Sequence, residues 1–483
     1  MLFNSVEFLI FFPVVFVLYF ITPHKYRWTV LLAASYYFYI CWEPFYITLI
    51  ITSTIIDYFL SKKIRRTEKL STKKQLLILS LTANLGLLFL FKYFNFFNDS
   101  LRTVFGYIDC SYNVPEIEIL LPVGISFYTF QTLSYTIDIY YNRLEPEKHF
   151  GKFALFVSFF PQLVAGPIER ATNLLPQFNQ KVSFDYNRIK DGFVIVLWGY
   201  FQKTVIADRL SIYVDAVYDN PEDFDGSRVW IATYFFAFQI LCDFSGYTDI
   251  ARGCAKMLGF DLMCNFKQPY FSTSITDFWR RWHISLSSWF RDYVYFPMGG
   301  NRVKIRRAYI NLALVFVISG LWHGASWTFV IWGCLHAVYV VLEKFFKIKV
   351  NSDSLRLKNI AQWLRAIIVF HFVVLAWVFF RAGTVGEAFL LIHNMFVFDI
   401  DSFFQIGFYK KGVYDISKFD LILSFVLVIV LLCINYLEVL YGRLHRLISS
   451  QNTIVRWGIY YGLIVSLIEL SIKDYSQFVY FQF

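Results

Sequence analysis

The stretch GLWHGASW, at Gly320 to Trp327, lies within residues 308–342, which are otherwise almost wholly apolar. It contains one titratable side chain, His323, between Trp322 and Gly324. A histidine inside a membrane segment is costly to keep, so it indicates a functional site. The structural alternative is that His323 bonds a neighbouring carbonyl group and only pins two helices together.

The composition predicts that this segment does lie in a membrane. The chain is 57% hydrophobic, 21% aromatic and only 17% charged, whereas a soluble domain carries about 25% charged residues. We therefore expect an integral membrane protein. The apolar residues 8–21 follow no Lys or Arg and precede no small-residue cleavage site, so they read as a retained first span and not as a signal peptide.

The apolar segments predict an all-α polytopic membrane protein. They are 8–21, 28–42, 45–60, 76–97, 119–141, 153–165, 192–207, 229–242, 308–321, 325–342, 360–380, 419–436 and 456–472. Several are shorter than the ~20 residues of a full crossing. We expect about ten transmembrane helices plus re-entrant or interfacial elements, the half-depth ones beside Pro161, Pro167 and Gly324. A single domain, 1–483, would comprise N-terminal spans (1–118), a core (119–383) and C-terminal spans (384–483).

Loop charges predict the orientation. Ser61–Gln75 holds seven Lys and Arg against one Glu, and Asp243–Arg307 holds ten against five Asp, so both should face the cytoplasm. Leu210–Ser227 has five acidic residues and no base, which places it outside. An impermeant reagent should therefore reach residues 218–227 and the region of Asp401, and spare residues 61–75 and 301–307.

The same charges bear on His323. Arg302–Arg307 precedes its apolar stretch, and Lys344 and Lys347 follow it, so both flanks read as cytoplasmic. The stretch should enter the membrane and return, with Trp322, His323 and Gly324 near the turn. A histidine that is reached from both faces would suit transfer between compartments.

The segment FWRRWHISLSSWFRDYVYFPMGG, residues 278–300, interleaves aromatic side chains with Arg280, Arg281 and Arg291. Such a composition fits a segment in the membrane interface whose cations face phosphates. Two interpretations stay open: these arginines bind a phosphate-bearing donor such as a coenzyme A thioester, or the segment is only an anchor. His283 is expected to be interfacial and not catalytic.

Other binding motifs are absent from the sequence. Its seven cysteines are scattered and contain no C-x-x-C pair, so they predict neither a disulfide framework nor a zinc site. There is no P-loop and no G-x-G-x-x-G. We expect no metal, no permanently bound cofactor and no nucleic-acid partner.

Six segments carry a resemblance to a known family. They are LPVGISFYTFQTLSYTIDIYY (Leu121–Tyr141), SFFPQLVAGPIER (Ser158–Arg170), DFSGYTDIARG (Asp243–Gly253), DFWRRWHISLSSWFRDYVYFPMGG (Asp277–Gly300), GLWHGASWTFVIWGCLHA (Gly320–Ala337) and LAWVFFRAG (Leu375–Gly383). In this order they resemble the membrane-bound O-acyltransferases over nearly the whole chain. Among the branches of that family they are most similar to the membrane subunit of alginate O-acetylation.

The resemblance implies helices around a central tunnel with a histidine at its narrowest point. His323 matches the histidine of the family's Trp-His-Gly motif. His371 matches a second histidine of the D-alanyl transfer branch and ranks second; many polysaccharide-branch relatives lack it, whereas the C-terminal spans beyond Phe419 favour the acetylation branch. His336 follows His323 by thirteen positions, about 220° around a continuous helix, so it ranks third and is expected to be structural.

Acyl transfer from a thioester needs a base for the attacking hydroxyl, and His323 is the predicted general base. His371 would orient it, act as a second base or donate to the thioester carbonyl. A covalent acyl-imidazole or acyl-serine route stays open, because Ser285, Ser287 and Ser288 are near in sequence.

Three classes of function follow. The first is an acyltransferase that moves an acetyl group from cytoplasmic acetyl-CoA across the cell membrane to an outer serine-hydrolase-like O-acetyltransferase, which then modifies a polysaccharide. Within that class, D-alanyl transfer from a carrier protein to the teichoic-acid pathway is the alternative. The second is a transporter or lipid flippase, a class that inverted repeats in the sequence would favour. The third is a structural membrane subunit, in which His323 would be dispensable.

Overall fold

The computed structural model describes residues 1–118, 120–164, 166–347, 357, 359–397, 418–472 and 478–479, which are helical without any β-strand. This confirms the predicted all-α membrane fold. Their contacts define two compact units: residues 1–192 with 251–263, and residues 193–250 with the described part of 264–483. The single-domain organisation stays a prediction, and the expected outer site at Asp401 lies outside the described residues.

The first unit is built from nine helices and the beginning of a tenth. They are Val6–Ile21 (α1), Arg27–Ile40 (α2), Ile47–Arg66 (α3), Leu70–Leu88 (α4), Phe94–Tyr107 (α5), Ile125–Tyr140 (α6), Phe150–Ser158 (α7), Phe160–Leu163 (α8), Ala171–Gln177 (α9) and Tyr186–Tyr200 (α10). A π-helical turn, Phe89–Tyr93, joins α4 to α5.

A buried polar cluster crosses three membrane helices of this unit. The carboxylate of Asp57 on α3 accepts hydrogen bonds from Ser80 Oγ, Asn84 Nδ2 (2.9 Å) and Thr136 Oγ1 (3.3 Å). Ser53 Oγ in turn donates to Asn84 Oδ1 over 2.6 Å. We call these five residues the Asp57 cluster. It ties α3, α4 and α6 together, since every member bonds to a neighbouring helix.

The second unit holds the histidine motif. Its helices are Asp208–Tyr218 (α11), Gly226–Leu258 (α12), Ile275–Arg281 (α13), Ile284–Phe290 (α14), Ile305–His323 (α15), Trp327–Phe345 (α16), Ile360–Arg381 (α17), Val385–Asn394 (α18), Lys418–Tyr441 (α19), Leu444–Ser449 (α20) and Thr453–Leu470 (α21). π-Helical turns lie at Phe201–Ala207, between α10 and α11, and at Arg291–Tyr295, after α14.

Eight helical segments of the described chain are long and apolar enough to cross a bilayer, compared with the ten or so expected. They are Pro44–Arg66, Leu70–Tyr107, Gly226–Leu258, Ile305–His323, Trp327–Phe345, Ile360–Arg381, Lys418–Tyr441 and Thr453–Leu470. The apolar helix α1 is shorter, at 16 residues. Beside Pro161, α7 and α8 have nine and four residues and agree with the predicted half-depth elements.

Beside Gly324 the half-depth prediction is wrong. α15 and α16 each have 19 residues, which makes each about 28 Å long. They form a helical hairpin whose arms are in backbone contact, because a Cβ atom at Gly320 would lie 2.3 Å from Phe329 O, and one at Gly333 would lie 2.4 Å from Phe316 O. The chain does reverse near Trp322, His323 and Gly324, as expected, through the connection Gly324–Ser326. Entry from and return to the cytoplasmic face stays a prediction.

The predicted cytoplasmic stretch from Asp243 begins too early, because α12 continues without a break to Leu258. Some of the charges that the sequence assigned to a loop belong to buried ion pairs. Lys203 Nζ lies 2.7 Å from Asp243 Oδ1 and 2.8 Å from Asp208 Oδ1, and all three side chains are almost fully buried. A paired charge can lie inside a helical unit where an isolated one could not.

Five of the eight aromatic side chains of residues 278–300 are buried, so these five do not lie at an interface with lipid. They pack into the second unit: Trp282 has no exposed surface and Phe290 is 3% exposed. The Trp282 ring lies 5.0 Å from that of Trp377 on α17. These buried aromatic residues were expected to bind lipid, but they pack inside the second unit, next to α16 and α17.

Candidate active site

His323 is the last residue of α15, at the turn of the hairpin. Ser326 then begins α16, and its hydroxyl accepts a hydrogen bond from the backbone N–H of Thr328. Only glycine fits at position 324, directly after His323, since a Cβ atom there would lie 2.1 Å from the Phe329 ring. The sequence therefore stops one helix and starts the next within three residues, and it leaves the imidazole at the break.

The surroundings of His323 are aromatic, and its side chain is 2% exposed. Its ring centroid lies 5.1 Å from that of Trp332 and 5.4 Å from that of Phe380, both in edge-on contacts. α16 supplies Trp332 and α17 supplies Phe380. The imidazole therefore lies in a dry aromatic setting at the junction of α15, α16 and α17.

His283 is the residue that the sequence reasoning missed. It joins α13 to α14, has a left-handed backbone (φ 42°) and is fully buried. Its ring centroid lies 6.2 Å from that of His323 and 4.6 Å from that of Phe244. Burial lowers the pKa of His283 to about 3, so this imidazole is neutral at physiological pH. The predicted interfacial position is wrong, because the helices that carry it fold inward.

A signal for His283 was present in the sequence. Of the eight histidines, only His283 and His323 directly follow a tryptophan, Trp282 and Trp322. The duplicated Trp-His pair marks the two imidazoles that the structure places next to each other. This signal was not used, because the arginines beside His283 suggested a position at the surface.

His336 lies one turn after Trp332 on α16 and is fully buried. Its Nδ1 accepts a hydrogen bond from the indole N–H of Trp279 over 3.2 Å. The rings of His336 and Trp332 are 5.0 Å apart, so Trp332 lies between His336 and His323. The helix breaks at Gly324, so the angle calculated for a continuous helix does not apply. The expected structural role stays a prediction.

His371 lies on α17, nine residues before Phe380, which corresponds to about 13 Å along the helix axis. Its Nδ1 is 2.7 Å from Ile367 O and its Nε2 is 2.9 Å from Tyr234 Oη. A carbonyl oxygen only accepts, so Nδ1 donates to Ile367 O, and Nε2 is hydrogen-bonded to the tyrosine hydroxyl. The structure therefore does not place His371 against His323, and its second rank stays a prediction without geometric support.

The three arginines proposed for donor binding occupy different settings. Arg281 is buried and bonds Asp277 Oδ2 through Nε over 2.9 Å within α13. Arg291 is exposed and bonds the adjacent Asp292, also over 2.9 Å. Arg280 is exposed and forms no ion pair with the described residues. The structure thus leaves Arg280 available, whereas Arg281 fixes its own helix.

A polar cavity of about 330 Å³ lies in the same unit. It is lined by Trp198, Gln202, Leu241, Ser245, Thr248, Asp249, Cys264, Phe266, Lys267, Gln268, Pro269, Asn435, Glu438, Gly442 and Arg443. The Phe266 ring forms one wall and lies 5.1 Å from Phe244 and 5.0 Å from Trp282. Phe244 in turn contacts His283. The cavity therefore ends one aromatic layer away from the two imidazoles.

No group of three or more His, Cys, Asp or Glu side chains able to hold a metal ion occurs among the described residues. The two imidazoles, His283 and His323, lie side by side in an aromatic setting and are suited to proton transfer.

Comparison with known proteins decides the class of chemistry. The sequence model of the MBOAT, membrane-bound O-acyltransferase family matches residues 36–380. The chain belongs to this family. It is a multi-pass membrane protein and an O-acyltransferase, and this MBOAT domain contains the whole hairpin and all four histidines described above.

Two relatives cover most of this MBOAT chain. A probable alginate O-acetylase of Azotobacter vinelandii is 38% identical over 403 residues, 82% of this chain and 78% of that protein. A peptidoglycan O-acetyltransferase of Helicobacter pylori is 37% identical over 429 residues, 82% of this chain and 80% of that protein. A teichoic acid D-alanyltransferase of Bacillus subtilis is 29% identical over 284 residues, 55% of this chain and 70% of that protein.

Proposed function

We propose that the protein transfers an acetyl group from cytoplasmic acetyl-CoA to an acceptor at the outer face of the cell membrane, for O-acetylation of a cell-surface glycan. The observation that carries this proposal is that two buried imidazoles lie side by side in an O-acyltransferase: His323 at the turn of the α15–α16 hairpin, and His283 between α13 and α14. Two relatives that cover most of the chain are named for alginate and for peptidoglycan, and both names describe O-acetyl transfer to a glycan.

His323 acts as the general base in this mechanism. It takes the proton of the acceptor hydroxyl while the hydroxyl oxygen attacks the thioester carbonyl carbon. The carbon–sulfur bond then breaks, the ester is left on the acceptor, and the thiolate takes the proton back from the imidazolium. Every atom is conserved and no further reactant is needed.

His283 takes the second position that the sequence reasoning gave to His371. It is neutral at physiological pH and lies next to His323, so it can accept from or donate to the reacting groups without bringing a charge into the site. His371 is occupied by Tyr234 and Ile367 and supports the helix α17.

The polar cavity is the proposed site of the coenzyme A arm. Its amide and hydroxyl side chains suit the two amide groups of pantetheine, and Lys267 and Arg443 supply positive charge for phosphate. Loop charge supports a cytoplasmic position for this end of the unit, because Arg443 and Arg446 follow α19. Arg280 would add long-range attraction from the surface.

The acceptor side requires a partner. A serine-hydrolase-like O-acetyltransferase outside the membrane would receive the acetyl group from this protein and pass it to the polysaccharide. The family alternative, D-alanyl transfer for teichoic acid, is favoured by one observation, the histidine at position 371. The relative with that name covers only 55% of this chain.

Mass spectrometry of the surface glycan decides between these donors and acceptors. Cells without the gene should lose O-acetyl groups from the glycan, and the wild-type gene should restore them. Loss of D-alanyl esters from teichoic acid, with unchanged O-acetylation, would establish the alternative. A neighbouring gene for an esterase-like secreted protein would support acetylation, and one for a D-alanine ligase would not.

Cysteine labelling tests the direction of transfer. A cysteine in residues 61–75 or 301–307 should be protected from an impermeant reagent in intact cells, and one in residues 218–227 should react. The donor would then enter on the side of residues 301–307. Labelling of residues 301–307 from outside would reverse the direction that we propose.

A further inference from the structure

Buried indole N–H groups without a partner lie in the aromatic layers around His323. Trp282 and Trp332 are both fully buried. Neither indole Nε1 has a hydrogen-bond partner among the described residues. An indole N–H can only donate, and leaving a buried donor unpaired costs roughly 1–3 kcal/mol. A pair of such groups in one well-packed layer requires an explanation.

Trp332 is the member in direct contact with the catalytic imidazole. Its ring centroid is 5.1 Å from that of His323, with the two planes at 86°. The indole is fixed from three further sides, by Phe380 at 5.2 Å, Trp377 at 5.7 Å and His336 at 5.0 Å. These contacts hold the indole in one orientation beside His323, and its N–H is shielded from water.

Acyl transfer creates a matching need. As the acceptor oxygen attacks, the carbonyl π electrons move to the carbonyl oxygen, which becomes an oxyanion until the carbon–sulfur bond breaks. A preorganised donor that is desolvated before the reaction stabilises this charge more than the starting carbonyl. His323 cannot serve both as the base and as this donor in the same step.

We propose that Trp332 is a catalytic residue whose indole N–H donates a hydrogen bond to the thioester carbonyl oxygen and stabilises the oxyanion. This inference rests on the proposed acetyl transfer and assigns a second role within the same site. His336 and Trp279 then act as positioning residues, because the hydrogen bond from Trp279 fixes the imidazole that packs on the indole.

Trp332→Phe tests the proposal, since phenylalanine keeps an aromatic ring and removes the N–H. With acetyl-CoA as donor, kcat should fall about 10²-fold, and the KM for acetyl-CoA should change little. Trp230→Phe is the matched control, because the Trp230 N–H already donates to Met395 O over 3.0 Å in the same unit. It should keep wild-type turnover.

A spectroscopic readout separates donation from packing. The carbonyl stretch of [1-¹³C]acetyl-CoA bound to the non-transferring His323→Ala protein should lie at lower frequency than in the double variant His323→Ala with Trp332→Phe. If Trp332→Phe does not fold, ¹⁵N-indole labelling of the His323→Ala protein replaces it. Solid-state NMR should then detect dipolar coupling between an indole nitrogen and the bound ¹³C carbonyl.

The outcomes distinguish the two proposals. Wild-type protein that neither binds nor turns over acetyl-CoA would refute the proposed donor and this inference with it. Normal turnover by Trp332→Phe, an unshifted carbonyl band or absent coupling in a protein that binds acetyl-CoA would overturn the role of Trp332 alone.

Discussion

Two buried polar sites in the membrane helices of this protein differ in how their hydrogen bonds are used. In the Asp57 cluster, the carboxylate and the amide are bonded to one another and to hydroxyl groups on three helices. Around His323, Trp332 Nε1 and His336 Nε2 have no partner among the described residues. The first site is complete without a ligand, whereas the second has donors to offer.

This difference separates two meanings of a polar residue in a membrane. Membrane location alone marks both Asp57 and His323 as functional candidates. The hydrogen bonds of the groups around them differ, since the Asp57 cluster is a closed network that stabilises the fold, whereas the donors of Trp332 and His336 can bind reacting groups. Mutations in the two sites should therefore affect different measurements.

The largest expected effect is on activity, from His323→Ala. Removal of the base should reduce acetyl transfer by at least about 10²-fold, while the protein inserts and unfolds at the wild-type temperature. Glycan O-acetylation in complemented cells measures it, and the exposed His393→Ala is the matched control. A wild-type amount of product from His323→Ala would end the assignment of the base.

The next effect is on stability, from Asp57→Ala. The substitution leaves Ser80, Asn84 and Thr136 without their acceptor and should lower the free energy of unfolding by about 3 kcal/mol. Thermal unfolding in detergent measures it, and Glu68→Ala in the exposed connection between α3 and α4 should have little effect. Transfer per folded molecule should stay normal; a selective loss of turnover would place Asp57 in the chemistry.

The same residues show which structural features could be predicted from the sequence. Composition and loop charge predict a membrane protein and a hairpin with His323 at its turn, because both signals are averages over many residues. Asp243 and His283 were assigned to the cytoplasmic face or the interface on the same averages, and both are buried. Their burial depends on tertiary partners such as Lys203 and Phe244, which lie far away in the sequence.

Local patterns also have limits where a helix ends. The angle between His323 and His336 was derived for a continuous helix, and the break at Gly324 removes its basis. The Asp57 cluster was not predicted, because its members lie on three helices and only tertiary packing brings them together. The polar cavity was not predicted for the same reason, because residues from 198–269 and from 435–443 line it together.

A smaller effect concerns pH. The His283 pKa is about 3 in the folded protein and about 6.5 when unfolded. Stability from this group is therefore complete above pH 6.5 and is lost as the pH falls toward 3, by up to about 1.4 kcal/mol per pH unit. His283→Asn should flatten the pH dependence of the unfolding temperature in this window. An unchanged slope would mean that His283 is solvated.

The smallest effect is on donor affinity, from Lys267→Gln combined with Arg443→Gln. If these cations bind coenzyme A phosphates at the mouth of the polar cavity, the KM for acetyl-CoA should rise several-fold, with kcat nearly unchanged, because each partly exposed charge pair contributes about 1 kcal/mol or less. The rise should be largest at low salt, since such attraction is screened within about 8–10 Å at ordinary ionic strength.

Arg281→Gln is the contrasting variant: it breaks the buried pair with Asp277 and should lower the unfolding temperature without a specific change in KM. A KM that depends on Arg280 or Arg291 and not on Lys267 or Arg443 would move the donor entrance from the cavity to the surface of residues 278–300.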